Sequence, residues 1–205
     1  MSDAAPLPAI RAAATVILWR EAPSGTQVLM GMRGAAAVFM PSKYVFPGGA
    51  VDPGDVADPL PMTNQCAERL RAMCGPDAPC PSALAGAAVR ELREETGLVL
   101  PPTDAPALRF VFRAITPPGR PRRFDARFFL ADAAHLAGSA EDFSAAEDEL
   151  SHLHWIGLAQ ARALDLPFIT EVVLAEVTAA LRGAPDQGVP FFDNSGTAPA
   201  FRRIV

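Results

Sequence analysis

Apolar residues along the chain fall into short runs at both ends and into one helical stripe near the middle. Ala12 to Trp19 and Gln27 to Met32 are apolar runs separated by Glu21-Ala22-Pro23-Ser24-Gly25. Such a pattern predicts strand, turn, strand, so a hairpin opens the fold. Gly34 to Pro53 follows, rich in Gly, Pro and aromatic residues, and its Tyr44-Val45-Phe46-Pro47-Gly48-Gly49 predicts a strand entering a tight Gly-Gly turn. Glycine has no side chain, so backbone there can approach a ligand closely. From Asp52 to Pro81 the composition shifts to Pro, Asp and Cys around one amphipathic segment, Met62 to Met73, which predicts an inserted excursion outside the core. The strongest helix signal comes next. It begins near Pro81-Ser82, with Ser82 as the candidate cap, and stops at Gly97. Leu108 to Ile115, Arg123 to Ala131 and His152 to Ile156 then predict strands, while Leu158 to Leu164 and Thr170 to Arg182 predict helices. The tail, Gly183 to Val205, carries Phe191, Phe192 and Phe201 among Gly and Pro, and predicts an irregular segment held to the body by its rings. Strands and helices mixed in this way make an α/β (α+β) domain.

Composition narrows the picture. A chain of 205 residues, half of them apolar, can bury one substantial core, so a single domain over 1–205 is expected, with the excursion at about 52–81. A net charge of −5 speaks against a nucleic acid polymer as the main partner, because such binding usually shows a basic surplus. Asp3 and prolines occupy the N-terminus where a signal peptide would have a basic flank and an apolar core, and no run reaches membrane-spanning length. A cytoplasmic protein with no membrane partner is expected. Cys66, Cys74 and Cys80 are odd in number and contain no CxxC pair, which fits reduced thiols better than disulfides or zinc.

The chemistry lies on the helix ending at Gly97. At about 100° per residue, Glu91, Glu94 and Glu95 share one stripe roughly 100° wide, beside an apolar stripe of Ala85, Ala88, Val89 and Leu92. The i,i+4 pair Glu91 and Glu95 repels by roughly 0.2–0.5 kcal/mol in an isolated helix, and Arg90 can offset only part of this through Glu94. A hard divalent cation with oxygen ligands is the natural remedy.

The string Arg90-Glu91-Leu92-Arg93-Glu94-Glu95-Thr96-Gly97-Leu98 resembles the second half of the Nudix box, Arg-Glu-aliphatic-x-Glu-Glu-x-Gly-aliphatic, at every specified position. Phe46-Pro47-Gly48-Gly49 resembles the lead-in to that box. The first half departs from the pattern: Gly49 precedes Arg90 by 41 positions where the family has 14, so about 27 residues are inserted. Six positions after Gly49 stands Asp55, and eight before Arg90 stands Ser82, where the pattern has Glu. An insertion here resembles the branch typified by coenzyme A diphosphatases. Val28 to Arg33, Phe39-Met40-Pro41 and Pro121 to Phe129 are similar to that branch as well.

The resemblance implies an α/β/α sandwich with a central mixed sheet and a catalytic helix after the Gly-Gly loop. It implies Mg²⁺ or Mn²⁺ held mainly by Glu94 and Glu95, with Glu91 as a further ligand or base, a carbonyl from Gly48 or Gly49, and Arg90 orienting the carboxylates. It also implies a loop carboxylate ahead of Trp155. Among Glu147, Asp148 and Glu149 the choice is Glu149, as ligand or general base. Arg33, Arg123 and Arg127 are candidate phosphate clamps. Strand alternation puts Arg123 and Arg127 on one face and Arg122 on the other. His135, His152 and His154 lack metal-binding spacing and read as bystanders. The implied reaction is hydrolysis of a diphosphate in a small nucleoside diphosphate conjugate, foremost coenzyme A or an acyl-coenzyme A. Nucleotide sugars or dinucleotides such as ADP-ribose or NADH, and a ligand-sensing module without catalysis, are the alternatives. A homodimer is among the expected assemblies.

Overall fold

The computed structural model describes residues 8–103, 105–196 and 198–205; the acidic and proline-containing start at 1–7, with Asp3, lies outside the described residues. The opening hairpin is β1 (Ile10–Ala22) and β2 (Gly25–Arg33), closed by a two-residue turn at Pro23-Ser24 with Ala22 opposite Gly25. Both strands run longer than the apolar runs themselves, because cross-strand pairing carries them into polar ends.

Two short strands follow, β3 (Tyr44–Val45) and β4 (Gly48–Ala50), then helices α1 (Asn64–Arg71) and α2 (Pro81–Thr96). Strands β5 (Arg109–Ile115), β6 (Arg123–Asp132) and β7 (Leu150–Gly157) come next, then α3 (Leu158–Ala161) and α4 (Phe168–Leu181), and last β8 (Val189–Asp193) and β9 (Ala200–Ile204). Among the described residues these strands form one sheet in the order β3-β2-β1-β6-β5-β8-β9, with β4 on β1 and β7 on β2. β1 runs parallel to β6 from Ile10↔Arg123 to Trp19↔Asp132, and β5 parallel to β8, while the other pairs are antiparallel. The sheet is therefore mixed.

Central β1 has Ala13, Ala14, Val16, Ile17 and Leu18 buried on both its faces, so its sequence reads as an apolar run rather than an alternation. One face, with Ala14, Val16, Leu18 and Phe129, packs under α1 and α2. The other, with Ile17, Phe112, Phe128 and Leu130, packs on Val173, Leu174 and Val177 of α4 and on Ala161 of α3. This gives the three layers of an α/β/α sandwich.

Two expectations are corrected. The inserted segment is not outside the core. Met62, Cys66, Ala67 and Leu70 are buried in the cluster that holds α2, and the backbone N–H of Phe110 donates to the Cys66 sulfur at 3.1 Å. Its helix is also shorter than 62–73, because Thr63 caps it, accepting from the Cys66 N–H, and Met73 has a left-handed φ of 55°. The tail from Gly183 is not irregular: β8 and β9 pair through Val189↔Ile204 to Asp193↔Ala200 and extend the sheet beyond β5. Phe191 is buried there, whereas Phe201 is largely exposed.

Candidate active site

Helix α2 sits where its sequence stripe requires. Leu84, Ala85, Ala87, Ala88 and Leu92 are completely buried, and the carboxylates follow on the adjoining face. Its N-cap is Cys80 with Pro81 in the first turn, not Ser82. Ser82 serves the insertion instead, its hydroxyl donating to the Ala57 carbonyl at 2.7 Å and accepting from the Ala57 N–H. At the other end Gly97 closes the helix in the left-handed conformation (φ 76°).

The three glutamates differ in burial. Glu95 is 2% exposed, while Glu91 and Glu94 are half-buried. One oxygen of Glu95 accepts from the Gly48 N–H at 2.7 Å, and the other, Oε1, is buried without a partner. Burial pushes its pKa up to about 8, with the nearby Glu149 and Glu91 charges adding to the effect against the Gly48 hydrogen bond. Burial raises Glu91 as well, although Arg90 pulls the other way.

Arg90 is the hub. Its NH1 donates to Glu91 at 2.8 Å and to Glu94 at 2.9 Å, and its NH2 donates to the Ala50 carbonyl. Its remaining donors, on Nε and NH2, grip both oxygens of Asp55 at 2.8 and 3.0 Å. Asp55 was visible in the sequence only as an aspartate at a position patterned for glutamate. Burial raises its pKa, but the Arg90 hydrogen bonds more than offset this and leave the carboxyl below its usual range. Asp55 and Ala57 both lie near the start of the insertion, so the Arg90–Asp55 and Ser82–Ala57 bonds tie that start to α2. Between them the backbone of Val56 lies so close to the helix that a Cβ on Gly86 would come within 2.4 Å of it.

Gly48-Gly49 is not a tight turn. Gly48–Ala50 is a strand, antiparallel to Ala13, Ala14 and Thr15 of β1. Glycine is needed because a Cβ on Gly48 would lie 2.5 Å from the Ala14 carbonyl oxygen, and one on Gly49 would lie 2.3 Å from a Glu91 oxygen. The loop before β7 reaches the same place. The Glu147 N–H donates to the Glu94 carbonyl at 2.8 Å, and Ala145 and Ala146 pass against Gly97. Glu149, rather than Glu147 or Asp148, then lines the cavity beside Glu91. Arg33, at the end of β2, donates to Glu149 at 2.7 Å and keeps a buried Nε without a partner.

This cavity has a volume of about 700 Å³. Its floor is small side chains of the sheet, Ala13, Thr15, Ala114 and Ala126, and its walls include Phe39, Phe124 and Phe168. Two expected phosphate clamps are absent from it. Arg123 is 4% exposed and donates to the carbonyls of Thr116 and Asn194, and Arg127 is 1% exposed and engages Asp125 and the Cys74 sulfur. Both point to the α1 side of β6, and they staple strands together. Alternation had paired them correctly on one face, but which face meets the cavity depends on the neighbouring layers. Arg120 and Arg122 line the cavity instead.

The carboxylate face of α2 is backed by the glycine strand, and Glu91 and the loop residue Glu149 line one cavity. Residues 82–177 match the model of the NUDIX domain. That stretch of the chain resembles a Nudix domain. The match begins at Ser82, beyond the inserted segment. A NUDIX hydrolase from Alicyclobacillus acidocaldarius is 29% identical, with a TM-score of 0.60 over 84% of this chain and 92% of that one. The Ap4A hydrolase of C. elegans (16% identical, TM-score 0.53, 85% and 99% covered) shares the fold. So does the NUDIX domain of Shewanella oneidensis NrtR complexed with ADP ribose (16% identical, TM-score 0.55, 84% and 89% covered). The match and the NUDIX hydrolase neighbour support a hydrolase of the pyrophosphatase type. No helix among the described residues is long and apolar enough to cross a membrane.

Proposed function

We propose that this protein is a divalent-metal-dependent diphosphatase that cleaves the diphosphate of a nucleoside diphosphate conjugate, with coenzyme A or an acyl-coenzyme A as the expected substrate class. The observation that carries the metal requirement is Glu95: a carboxylate almost without solvent, with one oxygen satisfied by Gly48 and the other facing no protein donor. Leaving a buried carboxylate oxygen unpaired is costly, and a cation relieves it. Among the described residues no three such side chains already converge on one point; Glu91 and Glu94, each held by Arg90 through one oxygen, would complete the ligand set with Glu95 and a glycine carbonyl. Mg²⁺ or Mn²⁺ suits this all-oxygen set, and when bound it supplies charge neutralisation on the phosphates and a more acidic water.

The chain's own residues do the rest. Arg90 fixes the carboxylates, itself fixed by Asp55. Glu149, exposed on the cavity and near Glu91, accepts a proton from the attacking water. Arg33 orients a phosphate through its free donors while holding Glu149 in place. The cavity volume falls within the range for a sizeable organic ligand. The split box and the lead-in motifs favour coenzyme A conjugates over nucleotide sugars and dinucleotides.

The test is a panel of coenzyme A, NADH, ADP-ribose, ADP-glucose and dinucleoside polyphosphates with Mg²⁺ or Mn²⁺, followed by product identification. Cleavage of coenzyme A into two phosphorylated products, abolished by Glu94→Gln, is expected. Cleavage confined to another member corrects the substrate class. No cleavage of any member, with Glu94→Gln without effect, removes the catalytic reading.

A further inference from the structure

Two sets of groups line the cavity. Glu91, Glu149 and the glycine strand are the first, where the diphosphate would be cut. The turn between β5 and β6 forms part of the rim, and there Pro117-Pro118-Gly119-Arg120-Pro121-Arg122 places two arginines. Proline fixes φ, so three prolines leave the turn little freedom to lose when a ligand is bound.

The cations around the cavity are not equivalent. Arg33 is paired with Glu149, Lys43 with Asp165, and Arg11 lies 4.0 Å from Asp52. Arg120 and Arg122 are exposed and have neither a salt bridge nor a side-chain hydrogen bond among the described residues. Unpaired positive charge kept at the mouth of a cavity, in a chain of net charge −5, is suited to a negatively charged ligand group. Phe39 and Phe124, edge to face with ring centroids 5.2 Å apart, line the same cavity and offer an apolar surface for a base.

We propose that Arg120 and Arg122 form an anion-recognising rim that selects substrates bearing a second phosphate, a phosphomonoester on the nucleoside, in addition to the diphosphate that is cut. The planar guanidinium matches the phosphate oxygens bidentately. The proposal rests on the hydrolytic reading above and deepens it.

Binding tests it without turnover. Adenosine 3′,5′-bisphosphate and adenosine 2′,5′-bisphosphate are compared with adenosine 5′-monophosphate by calorimetry on the full chain and on Arg120→Ala/Arg122→Ala, with a thermal melt to check the variant's fold. At least one bisphosphate is expected to bind the native chain roughly tenfold tighter than the monophosphate, in line with two charge-assisted contacts at an exposed site. The double variant closes that gap. In steady state, the variant raises KM for coenzyme A far more than for 3′-dephospho-coenzyme A if the preferred phosphate is at the 3′ position. Equal binding of all three nucleotides by the native chain, or a gap that survives in the variant, overturns the proposal. A gap that closes as expected in a protein that cuts nothing leaves the rim standing and removes the hydrolytic reading.

Discussion

Asp55 is the most informative residue to change. Its side chain is 5% exposed and its two oxygens accept from Arg90 Nε and NH2 and from the Asp52 N–H. Asp55→Ala leaves Arg90, itself about a quarter exposed, with two donors facing a cavity the size of a carboxylate. A hydrogen bond to a charged group is worth about 1.5–3 kcal/mol, and breaking a fully buried ion pair costs about 3–5 kcal/mol. Water reaching Arg90 reduces this, so a loss of about 2–3 kcal/mol is expected. For a domain of this size that is a Tm lower by about 5–10 °C. The second effect is on chemistry: a released Arg90 no longer aims Glu91 and Glu94, so kcat falls by about tenfold or more and the metal concentration for half-activity rises, as for loss of a group that orients metal ligands. Asp55→Glu restores the residue that the family pattern carries and recovers more activity than Asp55→Asn, which keeps the shape but loses the charge. Thermal melts and a Mg²⁺ titration of turnover measure both. If Asp55→Ala melts within about 1 °C of the native chain and keeps its metal dependence, the view that the insertion clamps the catalytic helix is wrong.

Three further outcomes are expected. Without metal, Glu95 has a folded-state pKa near 8 against an ordinary 4.5, so its contribution is fully present below about 4.5 and is lost as pH rises through 8. Melting between pH 5 and 8 should therefore show declining stability, by the order of a few kcal/mol, and Mg²⁺ should restore it at pH 8 by displacing the proton; a flat or rising profile in the metal-free protein contradicts this. Gly49→Ala places a methyl against the Glu91 carboxylate, the movable end of a side chain, so Tm should change little while kcat falls by about tenfold or more; unchanged turnover would show that Glu91 does not need that position. Arg123→Ala should destabilise by about 2–3 kcal/mol, because it strips partners from the buried Asn194 carbonyl and the half-buried Thr116 carbonyl, and should leave KM for the substrate unchanged; the reverse pattern would return Arg123 to the phosphate site.

The amino-acid order by itself determined the elements whose signal is local. A 16-residue helix with a buried aliphatic stripe, an acidic stripe and a C-terminal glycine is legible because all three features lie within a few turns of one another. The opening hairpin and strands β5 to β7 are legible for the same reason, since apolar runs and turn residues adjoin. Composition was a poor guide to the tail, where Gly and Pro suggested an irregular path, because β8 is defined by a partner, β5, that lies some 75 residues earlier. It misled equally over the insertion, whose polar and proline content conceals four side chains buried against α2 and the sheet.

Only tertiary structure decided which residues share the site. Alternation along β6 separates Arg122 from Arg123 and Arg127, but a period of two is symmetric between faces. The choice of face is made by α1 packing on one side and the cavity opening on the other. The same holds for Asp55, whose role depends on the inserted chain returning to Ser82 so that Arg90 can reach across 35 positions of sequence. Spacing within one helix carries chemistry in the sequence itself; pairing between distant segments exists only once the layers have packed.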